Sequence, residues 1–242
     1  MTIFRRLAFF VLLNACVSTV WARGDPKSDG QKKREEARAA LDEIFTNNNG
    51  VVSIQNDAVQ VQLYAQSDLL MPKAAKLSQE IRDQVDSFVV QDPAISEVGL
   101  KAILSFQNVE YLHLNDVKKW KTGFEPLMTG LPKLKSVWAQ GMGLTNKELV
   151  IICKTKGLEC LMIDGNKLTP GACKPLIELD ELRQLALSGS AINDEDILNL
   201  KDKQTLRTVW LDDTNVTEKG VEALKSTLSK KCLLNWSPKN EK

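Results

Sequence analysis

The stretch Leu206-Arg-Thr-Val-Trp-Leu-Asp-Asp-Thr-Asn-Val-Thr-Glu-Lys-Gly-Val221 decides the fold, because its pattern returns along the chain. One aliphatic residue is followed after two variable positions by a second, and after one more position by a third. Such triplets start at Val109, Leu134, Leu158, Leu182 and Leu206, so the starts are 25, 24, 24 and 24 residues apart. Looser copies start at Ala58 and Val85, and Leu234 and Trp236 are in register at the end. This period predicts a solenoid of strand, turn and helix units, none of which can bury its apolar side alone.

Each unit continues past its strand into a predicted helix. The residues expected at the helix starts are Ser96, Thr145, Thr169, Asn193 and Thr217. Their side chains can accept hydrogen bonds from the backbone N–H groups that open a helix. Helix-spaced apolar residues follow, which should face the strands. We therefore expect a right-handed solenoid with parallel strands that start near residues 58, 85, 109, 134, 158, 182, 206 and 231.

The repeats resemble those of leucine-rich repeat proteins from about Ala58 to Trp236. The clearest copies are Leu182-Arg-Gln-Leu-Ala-Leu-Ser-Gly-Ser-Ala-Ile-Asn193 and the stretch that begins at Leu206. The position that usually holds Asn in this family holds Asn166, Ser190 or Thr214 here. The Thr form, followed by Val-Thr-x-x-Gly, resembles the 24-residue, short-helix repeats of small exported bacterial proteins. The resemblance implies an α/β horseshoe with a parallel sheet on its concave face and short helices on its convex face. It does not identify a ligand, because the family has many unrelated binding roles.

The N-terminus has the pattern of an export signal. Arg5-Arg6 precede the apolar run Leu7–Leu13, and Val20-Trp-Ala22 offers small residues before a cleavage point after Ala22. The run is too short and too polar beyond Leu13 to predict a membrane span. A lipid anchor is the alternative, because Leu13-Asn-Ala-Cys16 resembles the bacterial lipoprotein motif, with Asn14 unusual in its place. The chain is therefore expected to be exported to the periplasm, the cell envelope or the medium, or to be lipid-anchored at Cys16.

The remaining chain divides into four segments. Residues 23–31 are polar, with Gly and Pro, and predict a flexible linker. Residues 32–57 predict a helix and a hairpin that cap the first repeat, since solenoids need an atypical terminal unit. Residues 58–237 form the repeat domain, and residues 238–242 form a polar tail.

Composition and motifs point away from several functional classes. The net charge is +1, and removal of residues 1–22 leaves 30 basic against 31 acidic residues, so no nucleic-acid footprint is expected. His113 is the single histidine, and no phosphate loop or nucleophile elbow occurs, so we expect no cofactor and no catalysis. Acidic runs such as Asp194-Glu-Asp196 are interpreted as turn and helix-start residues. Cys153, Cys160, Cys173 and Cys232 are expected to be free buried thiols, with a Cys153–Cys173 bridge as the alternative.

The candidate site is the row of strand residues that should point away from the helices. Side chains alternate along a strand, so the residue between the last two core positions of each repeat looks outward. In order these residues are Gln62, Val89, His113, Trp138, Met162, Ala186, Trp210 and Asn235. From this row and its polar flanks we predict that the partner-binding residues are Val89, Tyr111, His113, Trp138, Met162, Asp164, Trp210 and Asp212. The alternative is that the two tryptophans only stiffen the sheet.

Three functional interpretations remain open at this point. The first is a non-catalytic module, expected to be a monomer, that binds a protein or peptide on its concave face. The second is a structural protein of the envelope, anchored through Cys16. The third is an enzyme built on Tyr111, His113 and the Asp164/Asp212 side, which the single histidine disfavours.

Overall fold

The computed structural model describes residues 29–45, 50–55, 58–115, 117 and 121–239. The predicted signal, its cleavage point after Ala22 and the lipidation candidate Cys16 lie outside the described residues. The α-helices are α1 (Asp29–Phe45), α2 (Ser67–Ala74), α3 (Gln79–Arg82), α4 (Glu97–Ile103), α5 (Lys121–Gly130), α6 (Asn146–Ile152), α7 (Asp194–Ile197) and α8 (Glu218–Lys225). The 3-10 helices are Lys174–Glu178 and Leu198–Leu200. The strands are β1 (Gly50–Gln55), β2 (Ala58–Leu63), β3 (Val85–Val90), β4 (Tyr111–Leu114), β5 (Ser136–Trp138), β6 (Cys160–Met162), β7 (Gln184–Ala186), β8 (Thr208–Trp210) and β9 (Leu233–Asn235).

The strands form one sheet in chain order, with β1 and β2 antiparallel and every later neighbour parallel. This confirms the solenoid that the repeat period predicts. Strands β2 and β3 start at Ala58 and Val85 as expected, but β4 to β9 start two residues later than expected. The reason is that the first aliphatic residue of these repeats, such as Leu158, packs into the core before strand pairing begins.

The interior is a continuous apolar core between the sheet and the helices. Leu161, Leu185 and Val209, at equivalent positions in neighbouring repeats, have no exposed surface, which confirms their predicted inward direction. Phe88 and Phe106 add an edge-to-face ring contact with centroids 5.0 Å apart. Each repeat therefore buries its apolar side against the next, as a solenoid requires.

Four of the five predicted helix starts are confirmed. Ser96 and Thr217 accept hydrogen bonds from the first turns of α4 and α8, and Thr145 and Asn193 form capping boxes with Glu148 and Asp196. The prediction for Thr169 is wrong.

The chain after Thr169 makes turns and then the 3-10 helix Lys174–Glu178. Gly171 lies at φ +90°, outside the helical region, and interrupts the helix that the repeat pattern predicts.

The N-terminal helix begins earlier than the sequence predicts. Helix α1 starts at Asp29, so residues 29–31 belong to it and not to the linker. An acid in the first turn complements the helix dipole, and Lys33 Nζ lies 3.6 Å from Asp29 Oδ2. At the other end, Pro238 forms a β-bridge with Thr214, so the first residue of the predicted polar tail still belongs to the solenoid.

Candidate partner-binding face

The predicted row of outward-facing strand residues forms a continuous line across the sheet. Val89 pairs with His113, His113 with Trp138, and Trp138 with Met162. The line continues through Ala186 to Trp210 and then to Asn235. Val137 and Ala139, on either side of Trp138, have no exposed surface, so this strand keeps the register of its neighbours. We call this side of the sheet, opposite the helices, the concave face.

The concave row is far less exposed than a row on an open sheet face would be. Trp138 exposes 3 % of its surface and Met162 exposes 5 %, while Val89, His113 and Ala186 are also buried. Only Trp210, among the predicted apolar contact residues, is half-buried. Trp138, Cys160, Met162 and Ala186 form a second apolar cluster, separate from the main core, with Trp210 packed against it. The row thus has the predicted register, and its central part is buried.

His113 is held as a neutral ring in this row. Its ring stacks on Trp138 with centroids 4.4 Å apart and an interplanar angle of 24°. Burial lowers the pKa of His113 to about 3, and its Nδ1 is buried without a hydrogen-bond partner. A ring with this pKa does not accept a proton near neutral pH, so the arrangement does not suit general-base chemistry.

Polar residues form a hydrogen-bonded ladder along the C-terminal edge of strands β5 to β9. Gln140 Nε2 donates to Asp164 Oδ2 at 2.7 Å, and the backbone N–H of Ser188 donates to Asp164 Oδ1 at 2.8 Å. The ladder continues from the backbone N–H of Asp212 to Ser188 Oγ, and from Ser237 Oγ to Asp212 Oδ1 at 2.8 Å. Burial raises the pKa of Asp164 above its usual value, and these hydrogen bonds oppose the shift. The two predicted acids thus link repeats as well as border the concave row.

A second polar border, which sequence reasoning missed, follows the N-terminal edge of the strands. The residue after the first core aliphatic is charged in six consecutive repeats, namely Asp86, Glu110, Lys135, Glu159, Arg183 and Arg207. Lys135 Nζ lies 2.8 Å from Glu110 Oε2, and Arg183 Nε lies 3.1 Å from Glu159 Oε2. The signal was present in the sequence as a charge that recurs with the repeat period.

Asp86 is the member of this border whose charged form the structure disfavours. It lines a cleft of about 270 Å³ together with Arg34, Asp83, Gln84, Asn108, Glu110 and Lys133. Its Oδ1 atom is buried without a hydrogen-bond partner. Burial first, and then the neighbouring charge of Glu110, raise the pKa of Asp86 to about 8.

Asp194 and Asp196 hold turns and helix starts, as predicted. Asp194 Oδ1 accepts from the backbone N–H of Thr217 at 2.7 Å, and so caps α8 in the following repeat. Asp196 Oδ1 accepts from the backbone N–H of Gly171 at 2.7 Å in the preceding repeat. In the described part of the chain, no three His, Cys, Asp or Glu side chains form a group that could hold a metal ion.

The four described cysteines are buried and form no disulfide, as expected. Cys160 lies on the concave face, whereas Cys153 and Cys173 lie in the main core. Burial raises the pKa of Cys153 to about 12 and also raises that of Cys173. No helix of the described residues is both long and apolar enough to cross a membrane.

The fold is that of a leucine-rich repeat solenoid. A crystal structure of an internalin C2 from Listeria monocytogenes is similar to it with a TM-score of 0.51 and 14 % sequence identity, over 83 % of each chain. A Listeria monocytogenes internalin, InlF, matches at TM-score 0.45 and 14 % identity, over 65 % of this chain and 55 % of its own. The structure of a TLR13–ssRNA13 complex matches at 0.43 and 16 % identity, over 70 % of this chain and 28 % of that one. No protein-family model and no curated protein sequence matches the chain. At this identity the likeness to internalin C2 establishes the fold alone.

Proposed function

We propose that the protein is an exported, non-catalytic module that binds a protein or peptide partner on its concave face. The observation that carries the proposal is the cluster of Trp138, Cys160, Met162 and Ala186, with Trp210 packed against it, on the side of the sheet that the helices do not cover. Apolar and aromatic groups at the centre of a patch with a polar rim are the composition of protein contact surfaces.

Both polar borders support this proposal. On one side Asp164 and Asp212 are fixed by the hydrogen-bonded ladder, and on the other side Glu110–Lys135 and Glu159–Arg183 are paired. Side chains fixed in this way lose little conformational freedom when a partner binds. The site consists of Val89, Tyr111, His113, Trp138, Met162, Asp164, Trp210 and Asp212. We propose that a single copy of the chain binds without a cofactor and does not bind nucleic acid.

The test is capture of partners from the exporting cell by the purified protein and its Trp210→Ala variant. Trp210 is half-buried, and its neighbours Val209 and Leu211 point into the core, so truncation should spare the fold. Truncation of an interface aromatic costs about 2 kcal/mol or more, so we expect partner binding to weaken roughly 30-fold. The matched control is Ile177→Ala, which removes an apolar side chain that is 60 % exposed and lies in the 3-10 helix Lys174–Glu178, outside the strand row. Equal capture by the wild type and by Trp210→Ala would contradict the proposal.

A second candidate is an envelope-associated protein with a lipid anchor. The observation that favours it is Leu13-Asn-Ala-Cys16 at the end of the apolar N-terminal run. Metabolic labelling with a fatty acid distinguishes the two, because an anchored protein loses its label in the Cys16→Ser variant. An unlabelled protein whose N-terminus is Arg23 would instead favour cleavage after Ala22.

A further inference from the structure

The cleft at the N-terminal edge of the strands has walls from several parts of the chain. Arg34 comes from α1, and Asp83 directly follows α3. Asp86 lies in β3, and Glu110 directly precedes β4. The volume of about 270 Å³ far exceeds the roughly 10–15 Å³ that a single water needs. The cleft can therefore hold a polar group larger than water.

The carboxyl group of Asp86 has an unmet need for a donor. Asp86 lines the cleft, and its Oδ1 atom is buried without a hydrogen-bond partner. The amide donors of the walls are used elsewhere, because Asn108 Nδ2 donates to the backbone carbonyl of Asp83 at 2.7 Å and Gln84 Nε2 to that of Glu80 at 3.3 Å. Buried polar atoms in proteins nearly always have a partner, so this atom marks a place for a donor from outside the chain.

The later repeats show which chemistry satisfies an acid on this border. Glu110 Oε2 lies 2.8 Å from Lys135 Nζ of the next repeat, and Glu159 Oε2 lies 3.1 Å from Arg183 Nε of the repeat after it. A base from the following repeat therefore compensates each of these acids. At the position where the others find a base, Asp86 finds the acid Glu110. The group that this position lacks is thus a cation with N–H donors.

The bases in the walls of the cleft do not take that place. Arg34 lowers the pKa of Asp86, but burial and the charge of Glu110 outweigh it and raise this pKa to about 8. Lys133 is exposed to solvent, where its charge is screened. With Asp83 as the third acid, the walls carry three acids against two bases. This balance favours a positively charged ligand.

We propose that the cleft binds a guanidinium group, in the place beside Asp86 and Glu110 that corresponds to the place of Arg183 beside Glu159. The guanidinium group of an arginine side chain is planar and carries five N–H donors, so it can donate to two carboxyl groups at once. Its charge also favours the ionised form of both acids. The source is an arginine of a protein or a free solute with the same head group. The inference goes beyond the proposed function, because the cleft lies outside the concave row.

The test is a titration of the full chain with methylguanidinium at pH 9, where Asp86 is mostly ionised, followed by NMR. Chemical shifts should change most at Asp86, Asn108 and Glu110. N-Methylurea, the neutral analogue of similar shape, should cause no such change. In Asp86→Asn, which keeps the size of the side chain, methylguanidinium should bind at least about tenfold more weakly, because a hydrogen bond to a charged group is lost.

The matched control is Glu159→Gln, which removes one carboxylate from the same border but outside the cleft. This variant should bind methylguanidinium as the wild type does. Equal binding by the wild type and by Asp86→Asn would overturn the proposal. Shift changes that centre on other residues would do the same, and so would binding of Ca²⁺ at Asp86 by a protein that does not bind methylguanidinium.

A capped tripeptide with a central arginine identifies the source of the group. It should bind at least about tenfold more tightly than methylguanidinium if the cleft takes a side chain of a protein, and no more tightly if it takes a free solute. Both results support the guanidinium site. None of these measurements needs the partner of the concave face, so this inference can fail while Trp210→Ala still loses its partner, and the reverse.

Discussion

At the scale of single residues, the borders of the concave face show how position within a repeat sets chemistry. Glu110 and Glu159 face basic residues in the following repeats, so their charges are compensated. Asp86 occupies the equivalent place in the first full repeat and has Glu110 as its neighbour. Burial first, and then the charge of Glu110, raise the pKa of Asp86, so the fold holds this carboxyl group more easily in its protonated form.

We predict that Asp86 makes the protein less stable as pH rises. The pKa is near 3.8 in the unfolded chain and about 8 in the folded one, so between these values the folded state binds the additional proton. The free energy of unfolding should fall across that window by up to about 1.4 kcal/mol per pH unit, and should level off above it. In Asp86→Asn this fall should be absent, and the variant should be the more stable protein at pH 8. Urea unfolding from pH 4 to pH 9 measures both.

The matched comparison for this prediction is Glu110→Gln. It removes the neighbouring charge but leaves the burial, which is the larger cause of the raised pKa of Asp86. It should therefore remove only part of the pH dependence. A pH profile for Asp86→Asn that matches the wild type would show that Asp86 ionises normally in the folded protein.

At the scale of elements, helix starts in neighbouring repeats are tied to each other. Asp194 in α7 accepts hydrogen bonds from the backbone N–H and Oγ1 of Thr217, which opens α8. Gly220 lies directly against that carboxylate, and a Cβ atom placed there would overlap Asp194. Glycine inside α8 is thus explained by contact and not by backbone conformation.

Whether Gly220→Ala raises or lowers the free energy of unfolding tests this explanation. Alanine favours a helix over glycine by about 1 kcal/mol, so Gly220→Ala would stabilise the protein if the position were open. Because of the overlap with Asp194, we expect a loss of about 2 kcal/mol in the free energy of unfolding. In the control Gly157→Ala nothing lies within 4 Å of the new Cβ, and the change should stay within about 0.5 kcal/mol. A more stable Gly220→Ala protein would refute the contact.

Part of this fold can be predicted from the sequence. The direction of strand residues follows from period and alternation, which is why Trp138 and Trp210 lie on the predicted face. The prediction of a helix start at Thr169 is wrong because Gly171 has a positive φ, which interrupts the helix at this point of the repeat. The burial of the concave row could not be predicted, because a period of aliphatic residues specifies which way a side chain points and not how much of its surface stays exposed.

At the scale of the whole molecule, stability should be distributed along the solenoid. Each repeat contacts mainly its neighbours, so a change at one end acts first on the units nearest to it. The N-terminal end is covered by α1 and the hairpin β1–β2. Phe45, the last residue of α1, has no exposed surface. At the C-terminal end, Leu233 of β9 is 65 % exposed. The two ends thus differ in how completely the core is closed.

We expect Phe45→Ala to loosen the N-terminal repeats while the C-terminal ones stay closed. Truncation of a buried phenylalanine costs about 3 to 5 kcal/mol. Because units are coupled only to their neighbours, this loss should raise amide hydrogen exchange in β2 and β3 well before it does so in β7 and β8. Leu233→Ala is the control, since its exposed side chain contributes little to the core. If exchange after Phe45→Ala rises equally in all strands, the solenoid unfolds as a single cooperative unit, and the coupling between repeats is stronger than contacts between neighbours imply.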